Sequence, residues 1–312
     1  MATHVLITGG AGYLGSIICE HLLARGFRVT VVDKLLYNQH SLFHFCANPL
    51  FDFVYGDVRD ESLMRRLMAA ADVIFPLAAL VGAKVCEQDP WTAVSVNRDA
   101  ISQLMKIKSP DQLVVYPTTN SGYGTKSGDL FCTEETPLEP ISIYGKSKVE
   151  AEAAVMEAPR TITLRLATVF GLSPRFRLDL LVNHFTYAAV TDRYIVLFEK
   201  HFKHNYVHIR DVADCFLFCL DNADRLIGRT FNVGLTDANL TKEELALKIR
   251  EHVPEFTVMC AEIGSDPDKR NYIVSHERLK KEGFSAQRSL DDGIRELLKG
   301  FRMFGRHPFQ NA

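Results

Sequence analysis

The sequence predicts an α/β protein built on a doubly wound parallel sheet, with a smaller, discontinuous α/β lobe attached. Three observations predict it. Short apolar runs alternate with helix-period stretches through the first half of the chain. A glycine-rich turn, Gly9-Gly10-Ala11-Gly12-Tyr13-Leu14-Gly15, separates the first run from the first helical stretch. After Gly171 the strict alternation stops and irregular segments follow.

Each element has its own warrant. His4–Thr8 is an apolar strand, Ile17 to Arg25 has a helical pattern, and Phe27 to Val32 is a second strand that ends on Asp33. Strand, glycine turn, helix, strand and acid, in that order, are what binding a dinucleotide requires, so the sheet is expected to be Rossmann-type. Gly9 permits a sharp turn, Gly12 lets the backbone reach the pyrophosphate, and Gly15 lets the helix pack close; the positive helix end then faces phosphate. Asp33 can accept both hydroxyls of the adenosine ribose and repels a 2′-phosphate. Neither Lys34 nor Leu35 supplies the arginine usual in NADP sites, so the expected cofactor is NAD.

Phe51–Tyr55 reads as a third strand, and Asp60 as a helix cap before Glu61. Asp72–Phe75 is a fourth strand, running into Pro76-Leu77-Ala78-Ala79-Leu80-Val81-Gly82. Trp91 to Ile107 reads as one long helix carrying Asn97. Gln112–Tyr116 is a fifth strand, and Pro117 to Gly124 follows its carboxyl end, where ligands bind in such sheets. Ser142 caps a helix bearing Tyr144 and Lys148, and Thr161 to Ala167 is a sixth strand. Tyr206–Ile209 and Phe231–Val233 look like strands returning to the sheet. Helices are expected from about Leu178, near 241–252 and near 289–302, with a strand near 256–260. The expected division is residues 1–171 with 205–233 as the NAD-binding domain, and 172–204 with 234–312 as the lobe. The cleft between them is the natural substrate site.

Composition narrows the function. The chain has 312 residues, 47% of them apolar, and a net charge of −2. That is enough for a large core, and it offers no basic excess for nucleic acid and no charged tail. No apolar run is long enough to span a bilayer, and the first apolar run is a short strand rather than a secretory leader. The seven cysteines are scattered, with no Cys-x-x-Cys, and Cys215 and Cys219 suit a core-facing helix better than a metal, so no metal site is expected. An odd cysteine count with a dinucleotide site points to a reducing cytoplasm.

Among ten tyrosines only Tyr144 has a lysine four residues on, which puts both side chains on one helix face. Oxidising a carbinol by hydride transfer needs a base for the hydroxyl proton. A free tyrosine titrates near 10, and a neighbouring ammonium favours its phenolate. Tyr144 is therefore the expected base and Lys148 its tuning partner.

The spacing of Gly9, Gly12 and Gly15, with Tyr144-x-x-x-Lys148, resembles the extended short-chain dehydrogenase/reductases, the NAD-dependent epimerase/dehydratase family that acts on nucleotide sugars. The resemblance implies cofactor contacts from Tyr13, Leu14, Leu77, Ala78 and Ala79, adenine contacts from Asp57 and Val58, a cofactor-loop role for Asn97, and a ribose contact from Lys148. Counting back from Tyr123-Gly124, it implies that Thr119, rather than Thr118, aligns the substrate oxygen. The family's dehydratases carry Asp-Glu after that threonine. Here Asn120-Ser121 stand there, which argues against dehydration. Substrate contacts are implied for Asn120, Ser121, Thr168, Arg175, Asn183 and Lys203. His204 occupies a position where the family has arginine, and Arg270 fits a second phosphate-binding arginine. Cys86, Cys132 and His208 are candidate bases beside a 4-keto group, each also readable as structural.

The strings Pro117–Gly124, Leu166–Arg175 and Leu178–Asn183 are similar to a group of capsule and antigen sugar enzymes that includes the GDP-glycero-manno-heptose 4-dehydrogenases. The resemblance implies a cytoplasmic homodimer that oxidises C4 of a GDP-heptose-like sugar in capsular polysaccharide synthesis, with GDP preferred to UDP or dTDP. A nucleotide-sugar 4-epimerase would use the same residues. A non-catalytic NAD-binding scaffold is the remote alternative, disfavoured by the intact Thr119, Tyr144 and Lys148.

Overall fold

The computed structural model describes residues 2–126, 131–261 and 271–303. The elements run β1 (His4–Thr8), α1 (Tyr13–Ala24), β2 (Arg28–Asp33), β3 (Phe51–Tyr55), α2 (Glu61–Met68), β4 (Val73–Pro76), α3 (Ala83–Gln88), α4 (Pro90–Val94), α5 (Ala100–Ile107) and β5 (Leu113–Thr119). Then come β6 (Phe131–Cys132), α6 (Ile143–Met156), β7 (Thr161–Leu166), β8 (Thr168–Phe170), α7 (Leu181–Thr191), β9 (Tyr194–Leu197), β10 (Lys203–His208), α8 (Ile209–Asp221), α9 (Ala223–Leu226) and β11 (Arg229–Val233). The chain closes with β12 (Asn239–Thr241), α10 (Lys242–His252), β13 (Thr257–Cys260), β14 (Ile273–Val274), α11 (Glu277–Lys281) and α12 (Leu290–Met303).

Seven parallel strands form one sheet in the order β11-β7-β5-β4-β1-β2-β3. Covered on both faces, its central strands β1, β4 and β5 are buried along nearly their whole length rather than alternating. Along β1, Val5 and Ile7 join a core with α1 and α8, while Leu6 joins a second core with α2, α5 and α6. The strand order reverses between β1 and β4, so the loops after those two strands open a crevice at the carboxyl edge.

The lobe is pieced together from distant segments. β8, β10 and β12 make a three-stranded sheet, β9 pairs with β13, and β6 pairs with β14. Two expectations change here. β10, expected to return to the large sheet, pairs with β8 and β12 instead, and only β11 returns. The long helix expected over Trp91–Ile107 is three pieces: α4, a π-helical turn at Ser95–Asp99, and α5. Pro90 begins α4 at a position that needs no N–H, and Asp89 caps it by accepting from Thr92 N at 3.0 Å. The π turn distorts the backbone ladder where Asn97 points inward, and such turns gather at functional sites.

Candidate active site

The cofactor side is built from the loops after β1, β2 and β4. Gly9 adopts φ +69, and a Cβ added there would fall 2.6 Å from Ala78 Cα. Only glycine lets the turn and the Leu77–Ala79 loop come this close. Gly15 packs against the same turn, since a Cβ there would lie 2.6 Å from Gly10 Cα. Gly12 stands at the start of α1, and its N–H donates to Gly9 O at 3.1 Å. Thr8, which sequence reading passed over, fixes the β4 loop: Leu77 N donates to its carbonyl at 3.0 Å and Ala78 N to its hydroxyl at 3.2 Å.

Asp33 is half-buried at the end of β2, and its carboxylate accepts from Ala11 N at 3.0 Å and Leu35 N at 2.8 Å. Burial pushes its pKa up, and those backbone donors oppose the rise. Tyr13 serves another end: its buried hydroxyl donates to Gly171 O at 2.7 Å, tying the glycine turn to the lobe. Leu14 is half-buried beside it. Asp57 is not an open acceptor, because Arg59 and Lys34 hold its carboxylate at 2.6 and 3.0 Å. Its neighbour Val58 packs with Tyr144 on the small cluster of Leu80, Cys86, Ala93 and Val96.

Asn97 is 1% exposed, and its amide grips one residue from both sides. Its Oδ1 accepts from Leu80 N at 2.8 Å, and its Nδ2 donates to Leu80 O at 2.9 Å. Nδ2 also reaches Ser147 Oγ at 3.4 Å, on α6. The π turn thus locks the β4 loop to α6.

Ser142 starts α6 by accepting from Gly145 N at 3.1 Å, which sets Tyr144 and Lys148 one turn apart. The turn after β5 lies against this helix end, with a Cβ at Gly145 only 3.4 Å from Ser121 O. Thr119 is half-buried there, donating to Ser121 Oγ at 2.9 Å and accepting from Ser121 N at 3.1 Å. Lys148 is 5% exposed, with its ammonium 4.0 Å from the centre of the Tyr116 ring and no hydrogen-bond acceptor among the described residues. Burial lowers its pKa to about 7, while Glu152 one turn on pulls the other way. Glu152 itself is held by Arg165 in a pair whose side chains are 7% and 8% exposed.

These features fit NAD. The Gly9 turn comes against the Leu77–Ala79 loop with no room for a side chain between them, Asp33 is held where a ribose would lie, and a buried ammonium lacks an acceptor that ribose hydroxyls would supply.

The expected substrate residues divide. Thr168 is half-buried on β8. Ser121 is 2% exposed and bonded to Thr119, and Asn120 is 1% exposed with neither amide atom hydrogen-bonded among the described residues. Arg175 lies over the Tyr37 ring at 4.6 Å and donates to Phe176 O, so it bridges lobe and cofactor side rather than standing open. Asn183 corrects its expectation: it is fully buried, with Oδ1 accepting from Gly171 N and Nδ2 donating to Arg177 O. His204 does too, because at 0% exposed no diphosphate can touch it. Lys203 is half-buried at the start of β10, and Arg270 lies outside the described residues. The alternative bases are placed structurally. The buried Cys86 thiol donates to Leu80 O at 3.3 Å and is pushed up to about 11 by burial. Cys132 is buried and pushed up likewise, and His208 caps α8 while meeting Glu296 at 3.0 Å. Among the described residues no group of His, Cys, Asp or Glu could hold a metal, and no helix is long and apolar enough to cross a membrane.

Comparison with known proteins agrees with this geometry. The family model described as NAD dependent epimerase/dehydratase family matches residues 5–234. The chain is 27% identical to UDP-arabinose 4-epimerase 1 of Arabidopsis thaliana, over 89% of this chain and 77% of that one. It is also 27% identical to the low-salt glycan biosynthesis protein Agl12 of Haloferax volcanii, over 93% of this chain and 96% of that one. Its fold is that of the UDP-glucose 4-epimerase of Thermotoga maritima solved with UDP-glucose, with a TM-score of 0.85, 24% identity, and coverage of 97% and 99% of the two chains.

Proposed function

The chain belongs to the NAD dependent epimerase/dehydratase family, and from that premise we propose that it is a 4-epimerase of a nucleotide sugar. The observation that carries this reading is the short list of ionisable groups at the carboxyl end of β5. Tyr144 and Lys148 stand there with the Thr119 hydroxyl, while Cys86 and His208 are engaged elsewhere and Cys132 is buried. Such a set supports proton and hydride exchange at one carbon and, among the described residues, offers no second base for water elimination. The names of the Arabidopsis and Thermotoga relatives, both 4-epimerases of UDP sugars, support the same choice over a dehydrogenase that releases its ketone.

Bound NAD supplies the hydride acceptor and, on return, the donor. Tyr144 takes the proton of the C4 hydroxyl as hydride leaves C4, and it returns that proton to the same oxygen once the 4-keto sugar has turned and hydride comes back to the opposite face of C4. Thr119 orients that oxygen through its own hydroxyl, whose bonds to Ser121 set its direction. Lys148 holds ribose hydroxyls and, when charged, stabilises phenolate at Tyr144. The Gly9–Gly15 turn and the Leu77–Ala79 loop bind phosphate and ribose, and Asp33 takes the adenosine ribose.

Uridine or thymidine diphosphate sugars are the substrates to try first; the preference for GDP and for a heptose rests on sequence strings alone. Incubation with UDP, dTDP and GDP sugars tests the proposal. A C4 epimer without net NADH supports it. A keto sugar with stoichiometric NADH replaces it with the 4-dehydrogenase reading. A homodimer through the α4–α6 face is part of the proposal, supported by Trp91, which is 82% exposed on α4.

A further inference from the structure

The charges around Asp33 are arranged in a closed set. Lys34 is the residue after Asp33, and Arg59 lies just past the next strand. Both cations point at one carboxylate. Lys34 Nζ lies 3.0 Å from Asp57 Oδ2, Arg59 Nη2 lies 2.6 Å from the same oxygen, and Arg59 Nε donates to Oδ1 at 3.0 Å. Arg59 Nη1 is further tied to Ser95 Oγ at 3.2 Å. The pairing, led by the Arg59 hydrogen bonds, holds the Asp57 carboxyl far below the usual carboxylate range. Two carboxylates and two cations therefore balance at the place where an adenosine ribose would carry or lack a 2′-phosphate.

We propose that Asp57 is a second determinant of NAD over NADP, acting by occupying Lys34 and Arg59 so that no cation beside Asp33 can receive a 2′-phosphate. The proposal rests on the NAD reading above. It differs from an adenine-contact role, since it assigns Asp57's carboxylate to holding its neighbours. A phosphate dianion entering this set would meet Asp33 directly and would have to draw the cations off Asp57. Asp33→Ser removes one repulsion but leaves both cations engaged. Asp57→Asn releases them while keeping a side chain of the same shape.

The test is a cycle of four full-length proteins: wild type, Asp33→Ser, Asp57→Asn and the double variant. Dissociation constants for NAD and for NADP are measured by calorimetry, and folding is checked by thermal melting. The double variant should bind NADP about tenfold or more tighter than Asp33→Ser, the worth of one charge-assisted hydrogen bond. That gain should shrink with added salt and vanish when Lys34→Ala and Arg59→Ala are added. Equal NADP affinity in Asp33→Ser and the double variant overturns the proposal. So does a gain that survives loss of both cations. If Asp57→Asn melts early, Lys34→Ala in the Asp33→Ser background carries the test, since an engaged lysine contributes nothing there and its loss must leave NADP affinity unchanged; a drop overturns the proposal. Wild type that binds neither dinucleotide sinks the NAD reading together with this one, whereas NAD binding with a flat cycle sinks only this one.

Discussion

The Lys148 ammonium sits on the face of the Tyr116 ring, 4.0 Å from its centre, where burial brings its pKa to about 7. A lysine in the unfolded chain titrates near 10.4. Between about pH 7 and 10.4 the unfolded chain holds a proton that the native chain has released. Stability from this group therefore rises with pH across that window, and its full cost is present below pH 7. Lys148→Met should raise the melting temperature of the ligand-free protein at pH 6.5 by roughly 4–8 °C and flatten the climb above pH 7. Equal melting of both proteins at every pH would show that the ammonium is not held against the ring.

Tyr144→Phe keeps the ring on the Leu80 cluster and removes the proton acceptor. Turnover should fall by about 10²–10⁴ while NAD affinity stays within about twofold. Steady-state kinetics with calorimetry would reveal either an active variant or one that has lost its cofactor, and each result would reassign the phenol.

Asn97→Ala strands the N–H of Leu80 and leaves its C=O with the weak Cys86 thiol donor alone, behind the β4 loop. A stability loss of about 2 kcal/mol or more is expected, with weaker NAD binding as the Leu77–Ala79 loop loses its anchor. Asn97→Asp keeps the acceptor but sets a carboxylate oxygen against Leu80 O in a site 1% exposed, so it should be at least as destabilised as alanine near neutral pH. Urea titrations that show Asn97→Ala as stable as wild type would contradict the clamp.

His276 is 7% exposed, and burial lowers its pKa to about 4. An unfolded histidine takes its proton near 6.5. As pH falls from 6.5 to 4 the unfolded chain gains a proton that the native chain refuses, so stability drops in that window and no further below it. His276→Gln should spare on the order of 2 kcal/mol of the loss between pH 7.5 and 4.5, read from urea midpoints at both. An unchanged acid limb would place the loss in other groups.

Much of the site was legible because its groups are neighbours in sequence. A turn built from Gly9, Gly12 and Gly15, or a tyrosine and lysine one helical turn apart, is short-range geometry that residue spacing specifies. What could not be read was burial. His204 and Asn183 have the polar chemistry of substrate contacts, yet β10 and α7 put them inside the lobe. The uninterrupted helix expected around Asn97 breaks into a π turn, because satisfying Leu80 outweighs a regular ladder.

The dinucleotide turn, the acid at Asp33 and the Tyr144–Lys148 pair were determined by the sequence alone, since each depends on residues a few positions apart. Only the tertiary structure decided that Lys34 and Arg59 share Asp57, that Tyr116 lies under Lys148, and that Cys86 is a sealed thiol. Those outcomes depend on which distant segments exclude water from a group, and a side chain's charge and partners follow from that exclusion rather than from its neighbours along the chain.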